Sequence, residues 1–583
     1  MSPDESRNKF VLVVLLSVWG LLLARMGYVQ LFRWKHYETL AQKQHTDSLR
    51  LSPERGRVFD YQGRALTVNQ SYSLVYAWPR KVRAKDSLAA ILAGAGLGTK
   101  QEVRDELDRH DHMFCFRQHI DPIHAGSLWQ RIVKCRFGDC TAVESESRRL
   151  YPYGATCANV VGFVGNNRGL AGVEAWYDSV LRGQSGWVLM QLDGAGHRLP
   201  YPSYPRFEPV PGTDIHLTLD VDIQGICFRT LSRTVTETRA RKGSVVVLDV
   251  KTGGVLALAN YPTYDPARFE NFDASLYRCM PVCDQFEPGS SFKIAICAAA
   301  LESPNAARLT SQTYDVSSGY IEIMGHRIYD VHEHGILDFD GLIVQSSNPG
   351  VALLSSEVDP ERFYLITRGM GFGSRVGIGL PGEVKGMLDK PSRLNPLRFA
   401  NIAFGQGVAV SLLQLAAAYL CIANDGVYVQ PYFVRSVETN GRIIYQSSRI
   451  ELRRAIKEST AAQMKRILAE VVTEGTGLRA QIPGVEACGK TGTAQKIEPD
   501  GKYSRTRAWM SFAGFFPRAE PRYVIAVMID EPKTIRFASS CACPVFRKIG
   551  EQLLMLEHMR SHKEFVDSRV GQEIAAMDRK EVR

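Results

Sequence analysis

The sequence predicts an α+β protein in which one N-terminal membrane helix is followed by an elongated module and then by a larger C-terminal domain, whose antiparallel sheet is flanked by helices. Three observations carry this prediction. Phe10 to Ala24 is free of charge, and Met26 to Phe32 prolongs the apolar run. Strand patterns lie at both ends of the C-terminal half, with long helical patterns between them, as in α+β domains. The Pro-rich stretch Leu199 to Pro211 breaks regular structure and marks a boundary near residue 212.

Taken in order, residues 1–9 form a short cytoplasmic tail and residues 10–32 the membrane helix. About 20 apolar residues cross a bilayer, so the run is long enough even with Arg25 inside it, which can snorkel to the interface. Trp34 and Tyr37 suit the outer aromatic belt, and no small-x-small cleavage site follows the apolar core, which argues against a removed signal peptide. Basic residues flank both sides (Arg7 and Lys9, Arg33 and Lys35), so charge alone leaves the orientation open. Residues 45–211 alternate short strands with polar helical stretches, starting from the strand and turn of Arg55 to Gly63. The domain over residues 212–557 opens with strand character at His216 to Leu219 and a hairpin over Gly243 to Asn260. Helices are expected over Phe292 to Leu301 and Val410 to Ala423, and strands again over Met510 to Phe516 and Tyr523 to Met528. The charged stretch 558–583 reads as an exposed helix or tail.

Composition narrows function only by exclusion. With 45% hydrophobic and 23% charged residues among 583, the chain is neither disordered nor collagen-like. The net charge of +10 is spread along the chain without a long Lys/Arg run, which suits an anionic membrane or substrate and excludes nucleic acid as the expected partner. The twelve cysteines form no metal signature: Cys541-x-Cys543 is an isolated pair, and Cys279 with Cys283 lacks a second. In an oxidising compartment some of them are expected to pair. His332-Glu333-His334 and His110-Asp111-His112 read as polar loop histidines, so neither metal nor other cofactor is expected.

Three short motifs carry chemistry. Glu287-Pro-Gly-Ser-Ser-Phe-Lys293 sets a turn before an apolar helix, placing Ser290 at its N-terminus and Lys293 one turn later on the same face. A serine hydroxyl is a poor nucleophile until a base removes its proton, and lysine serves only when burial and a second cation lower its pKa. Ser346-Ser-Asn348 precedes the apolar run from Val351; Ser346 can relay a proton, and the Asn348 amide can hold a substrate carbonyl and the lysine. Lys490-Thr-Gly-Thr493, read as a strand, offers a cation and hydroxyls to a carboxylate, while Gly492 lets a substrate backbone lie close, as an added strand. Each motif alone is commonplace. Ser6-Arg-Asn-Lys9 lies against the membrane helix, Ser303-Pro-Asn305 looks like a helix stop, and Lys251-Thr-Gly253 sits in the hairpin turn. Order and context discriminate: turn to helix, then loop, then glycine-flanked strand, as serine-lysine acyltransferases require.

With these residues in place, the stretch from about Arg55 to Leu554 resembles the class B, monofunctional penicillin-binding proteins: a short anchor, a pedestal like the dimerisation domain of that family, and a C-terminal transpeptidase domain. Arg55-Gly-Arg, Phe372-Gly with Leu380-Pro-Gly-Glu383, Phe404 to Gln414 and Ala508 to Gly514 support the resemblance. It implies that Ser290 is acylated, that Lys293 is the base, and that Ser346 and Asn348 assist proton transfer and placement. It further implies that Lys490, Thr491, Gly492 and Thr493 bind the stem-peptide or antibiotic carboxylate, and that the backbone N–H groups of Ser290 and Thr493 form the oxyanion hole. Glu-Pro-Gly before the nucleophile and asparagine at 348 resemble the division, FtsI-like branch; the elongation branch often has Pro-Pro-Gly and aspartate. The implied function is a peptidoglycan D,D-transpeptidase of cell division, a β-lactam target anchored in the bacterial inner membrane with its catalytic domain on the periplasmic side. The implied partners are stem peptides, a SEDS-type glycosyltransferase and other division proteins. D,D-carboxypeptidase, elongation-type transpeptidase and non-turnover β-lactam sensor share the motifs as alternatives. Departures from the family pattern are Ser291 for threonine, Ile294 for proline, Phe537-Ala-Ser-Ser540 for a tyrosine-glycine stretch, and Asp60-Tyr-Gln-Gly63 for Asp-Arg-Asn-Gly.

Overall fold

The computed structural model describes residues 3–192, 198–199 and 204–581; residues 200–203 of the Pro-rich segment, and residues 1–2 and 582–583 of the two predicted tails, lie outside the described residues. Helix α1 (Pro3–Phe32) contains the apolar span Arg7–Phe32, none of it buried by protein. At 1.5 Å per residue that span is about 39 Å long, more than the roughly 30 Å of a bilayer core. The predicted tail is therefore continuous with the helix from Pro3 onward.

The rest of the chain forms two compact units. The smaller one comprises the residues up to Arg55 together with Gln70–Arg148 and Gly183–Gly212. Its centre is a three-stranded sheet in the order Phe114–Ile120, Val68–Ala77, Thr141–Leu150. The helices Lys85–Ala93, Lys100–Arg109 and Pro122–Lys134 supply Leu88, Leu92, Leu107, Leu128 and Ile132 to a core of its own.

The larger unit takes in Gly56–Asn69 and Arg149–Arg182, which lie before residue 212 in the chain, along with Thr213 onward. The reason is where their apolar residues go. Val58, Leu66, Val160, Val161, Val173 and Leu181 are buried in the same cluster as Phe292 and Leu415, and Val58–Phe59 pairs in parallel with Asp214–Leu217. The Arg149 guanidinium, nearly fully buried, donates to Glu174 Oε1 (2.7 Å), Asn69 Oδ1 (2.6 Å) and Gly56 O (2.7 Å). The variant turn Asp60-Tyr-Gln-Gly63 still closes, since Asp60 Oδ1 accepts from the backbone N–H groups of Gln62 (2.9 Å) and Arg64 (2.8 Å).

Within this unit, α2 (Val221–Glu237) is N-capped by Asp220. The hairpin β1 (Lys242–Asp249) and β2 (Val255–Tyr261) follows, then α3 (Lys293–Leu301), α4 (Asn348–Ser355), α5 (Leu412–Ala423) and α6 (Glu458–Thr473). The chain returns to the sheet with β3 (Cys488–Ile497), β4 (Tyr503–Phe516) and β5 (Tyr523–Asp530), and finishes in α7 (Ala538–Glu581). The sheet is antiparallel in the order β2-β1-β5-β4-β3, built from both ends of the domain as predicted, with β3 at an edge. Helices cover both faces. Val246 and Leu248 pack toward the core that holds α3 and α5, whereas Val245 and Val247 pack with α2 and α7. That two-sided burial explains why β1 reads as an unbroken apolar run rather than an alternation. It also explains why all nine residues of α3 and all twelve of α5 are buried.

The predicted boundary at 558 does not interrupt α7, which runs on to Glu581. Arg560 on this helix donates to Asp220 Oδ2 (2.7 Å) and Asp222 Oδ2 (2.7 Å), and Arg64 pairs with the same two carboxylates and with Asp60. The cysteine expectation is corrected too. All twelve thiols are free, ten of them buried, and they are distributed as small apolar residues across the cores, for example Cys297 and Cys421 in one and Cys227, Cys541 and Cys543 in the other.

Removing the Arg560 guanidinium takes a charged hydrogen-bond donor from the buried Asp220. Arg560→Ala is expected to lower the stability of the larger unit by about 1–3 kcal/mol in chemical denaturation, whereas Glu551→Ala, which breaks the exposed Arg547–Glu551 pair, should cost only about 0.3–0.5 kcal/mol.

Candidate active site

Three elements of the larger unit converge where the sequence motifs predicted. The first is the turn entering α3. Residues Gly289–Phe292 make a tight turn of helix that runs into Lys293, so Ser290 sits half-buried at the helix start while Lys293 is fully buried one turn on. The turn is locked by its own polar groups. Ser291 Oγ donates to Pro288 O (2.8 Å) and lies 3.3 Å from Ser511 Oγ on β4, and the Tyr419 hydroxyl of α5 donates to Ser291 O (2.9 Å). Serine in place of the family's usual threonine therefore keeps the hydroxyl's function. Ile294 is simply core.

The second element is the 346–348 segment. Ser346 adopts φ +64°, a left-handed conformation that non-glycine residues rarely hold and that marks stored strain. The inversion reverses the chain between the helix Phe339–Val344 and α4, whose N-cap is Ser347, its Oγ accepting from Gly350 N–H (3.1 Å). It also aims the loop's oxygens at one amine: Lys293 Nζ donates to Ser346 O (2.6 Å), Ser347 O (3.1 Å) and Asn348 Oδ1 (3.0 Å), with Ser346 Oγ at 3.3 Å. Ser346 and Asn348 are half-buried.

The third element is edge strand β3. Lys490 is fully buried, with Nζ 3.3 Å from both Thr476 Oγ1 and Thr491 Oγ1, which are 2.8 Å from each other. Thr493 is exposed further along the strand. Gly492 opposite Ser511 is where β3 meets the Gly289–Phe292 turn: a Cβ there would lie 2.3 Å from Pro288 O and 2.4 Å from Ser511 Oγ. Gly289, at φ +55°, is pressed from the other side, since its Cβ would fall 2.7 Å from Thr493 O. The backbones that carry the Ser290 and Thr493 amides therefore lie against each other.

Electrostatics of the site are dominated by the two lysines. Burial holds the Lys293 ammonium well below its ordinary pKa, and the charge of Lys490 pushes it the same way, partly opposed by Asp330. Burial brings Lys490 down to about 7. Glu287, three residues before Ser290, is raised by burial and accepts from Gly407 N–H (3.0 Å).

All the predicted site residues meet here. Three others were missed. Thr476 follows α6 in a Gly-Thr-Gly stretch with no periodic signal; Glu287 was read only as turn context; and Asp330, which accepts the Asn348 backbone N–H through Oδ1 (3.1 Å), was hidden beside the histidine cluster at 332–334. Among the described residues no three His, Cys, Asp or Glu side chains come together as a metal site. Phe537, at the point of departure from the family's tyrosine-glycine stretch, is exposed, its ring 6.2 Å from that of His332.

Comparison with known proteins defines the class. Residues 243–551 match the penicillin-binding protein transpeptidase domain and residues 50–217 the penicillin-binding protein dimerisation domain. The chain belongs to the penicillin-binding proteins of this two-domain, transpeptidase type. It is 32% identical over 554 residues to stage V sporulation protein D of Bacillus subtilis, covering 94% of this chain and 85% of that protein. It is 31% identical over 557 residues to the probable peptidoglycan D,D-transpeptidase PenA of Neisseria meningitidis, covering 94% and 92%. The crystal structure of penicillin-binding protein 3 from Mycobacterium tuberculosis complexed with aztreonam superposes with a TM-score of 0.67 at 29% identity, covering 88% of this chain and 97% of that one.

Because Gly492 has no room for a methyl group, Gly492→Ala must push β3 off the Pro288–Ser291 turn. A displacement on the order of 1 Å is expected to slow acylation by a fluorescent penicillin about 100-fold; a rate unchanged from wild type would contradict that packing.

Proposed function

We propose that the protein is a peptidoglycan D,D-transpeptidase of cell division that forms an acyl-enzyme on Ser290. The observation that carries this reading is the buried Lys293 amine, one helical turn from Ser290, held by Ser346 and Asn348, with its pKa pushed well below the ordinary value by burial and by Lys490. Such an amine can accept the Ser290 proton as Oγ attacks the carbonyl between the two terminal D-alanines of a stem peptide. The C–N bond breaks, D-alanine leaves with a proton returned through Ser346, and the amine of a second stem then displaces Ser290 from the acyl group. The Ser290 and Thr493 backbone N–H groups take up the oxyanion charge. Lys490, Thr491 and Thr493 hold the substrate carboxylate, and Gly492 allows the peptide to lie along the free edge of β3. The exchange of one amide for another needs no metal or nucleotide.

The names of the relatives support the substrate class: PenA is described as a peptidoglycan D,D-transpeptidase, and the tuberculosis structure carries the β-lactam aztreonam. The apolar helix α1 supports a single-pass anchor in the inner membrane with the catalytic unit on the periplasmic side, where uncross-linked stems are found. A SEDS-type glycosyltransferase and other division proteins are the partners that fit the anchor and the smaller unit. The domain limits that follow are the anchor, a pedestal interrupted by segments of the larger unit, and a transpeptidase domain that includes the start of α7.

Two measurements test this reading. Fluorescent penicillin labels the wild-type protein covalently and Ser290→Ala not at all; label persisting in the variant would remove Ser290 from its role. Mass spectrometry with a pentapeptide and an acceptor amine yields the transfer product, and exclusive tetrapeptide formation would make the enzyme a D,D-carboxypeptidase instead.

The pH profile follows from Lys490. A lysine with its pKa at about 7 is charged below that pH and neutral above it. The second-order rate constant for acylation, which reports the free enzyme, is therefore expected to fall as pH rises through about 7, because the carboxylate loses its cation. A rate constant that stays level from about pH 6 to 9 would exclude Lys490 as the carboxylate's partner.

A further inference from the structure

The strands Tyr320–Ile323 and His326–Tyr329 form a small hairpin beside the site, and the chain leaves it through Asp330. Asp330 is fastened by its backbone, its N–H donating to Gly319 O (3.0 Å). Its carboxylate is divided in use. Oδ1 accepts from the backbone N–H of Asn348 (3.1 Å) and of Val331 (3.2 Å). Oδ2 is shut away from solvent, and among the described residues no donor meets it. Buried carboxylate oxygens are nearly always satisfied by hydrogen bonds, and one left bare is costly unless a positive charge compensates.

The group on which Asp330 acts electrostatically is Lys293. The charged groups that bear on Lys293 are Lys490 from β3, which repels its proton, and Asp330 from the end of the hairpin, which attracts it. Behind Lys490 lies Cys543 of α7, whose thiol burial keeps protonated. One carboxylate therefore acts on Lys293 against the charge of Lys490. Its Oδ1 also bonds the first backbone N–H of α4, the residue whose side chain holds Lys293 from the other side.

We propose that Asp330 is a positioning residue for acyl transfer: through Oδ1 it fixes Asn348 and the start of α4, and through its charge it steadies the Lys293 amine that takes the Ser290 proton. This inference rests on the roles given above to Ser290 and Lys293. The two functions of Asp330 are separable by substitution. Asp330→Asn keeps an oxygen for the Asn348 N–H but removes the charge. The Lys293 ammonium then loses its stabilising partner and gives up its proton at lower pH, by about one pH unit for a neighbouring carboxylate. Asp330→Ala removes the acceptor as well.

The test is the second-order rate constant for acylation by a fluorescent penicillin, measured against pH on the full chain in detergent. The ratio of Asp330→Asn to wild type is expected to rise about tenfold toward acid, as the free amine persists to lower pH. Asp330→Ala is expected to fall below Asp330→Asn at every pH by at least about tenfold, because Asn348 is no longer held. A ratio for Asp330→Asn that is level across pH overturns the charge role, whatever its absolute value, and equal rates for the two variants overturn the anchoring role. A thermal melt of each variant identifies a failure to fold, and Asp330→Asn, nearly isosteric, decides the charge role if Asp330→Ala does not fold. Ser290→Ala run in parallel separates the two readings: retained label there refutes the nucleophile, whereas lost label with a level Asp330→Asn ratio refutes this inference alone.

Discussion

Two lysine amines lie fully buried in one site, and the cost of burying them constrains what surrounds them. A buried ammonium is expensive, so a lysine in such a place either gives up its proton or gathers acceptors. Lys293 does both. Its pKa is held down by burial and by Lys490, while Ser346 O, Ser347 O and Asn348 Oδ1 surround it. Lys490, by contrast, has among the described residues only threonine oxygens as hydrogen-bond partners, at 3.3–3.4 Å. The cost is borne by the surroundings: a strained Ser346, an α3 with no exposed residue, and glycines wherever two backbones must nearly touch.

The sheet makes that arrangement possible. The proposed chemistry needs the Ser290 turn and β3 side by side, yet Ser290 and Thr493 are far apart in sequence. The solution is an edge strand. With β3 outermost in the order β2-β1-β5-β4-β3, one side is committed to β4 and the other remains free for an extended substrate. Gly492 and Ser511 then allow the α3 turn to sit directly on the strand, with Ser291, Ser511 and Pro288 O closing the contact.

Much of this was legible in the residues. The apolar helix, the hairpin, α3, α5 and the last two strands of the sheet appear where hydrophobic pattern and turn residues placed them, because each is a local signal. The three site motifs were legible for a different reason: their residue types are chemically unusual in their settings, a lysine inside an apolar helix start and another in a glycine-flanked strand. Thr476 and Asp330 were not legible, since a threonine and an aspartate in loops carry no pattern until the fold brings them to an amine. That Gly56–Asn69 and Arg149–Arg182 join the larger unit was not legible for the same physical cause. Nothing local distinguishes Val58 or Val173 from residues of the smaller unit; only their burial with Phe292 does. The extent of α7 was hidden because a helix held by Arg560 and a loose charged tail look alike in composition.

The path of the chain adds a last constraint. The larger unit is assembled from three stretches, Gly56–Asn69, Arg149–Arg182 and Thr213 onward, and its sheet from strands at the two ends of the third. The contacts that bring the α3 turn, the 346–348 segment and β3 together are therefore long-range, and they form only when late segments pair with early ones. Lys293 sits in a helix that could form early, but it acquires its lowered pKa only when β3 arrives with Lys490 and closes the site against α3. A partly folded chain thus exposes an ordinary, protonated lysine beside an ordinary serine. The reactive pair is a property of the completed sheet, so the same burial that is costly to stability confines the chemistry to the native state.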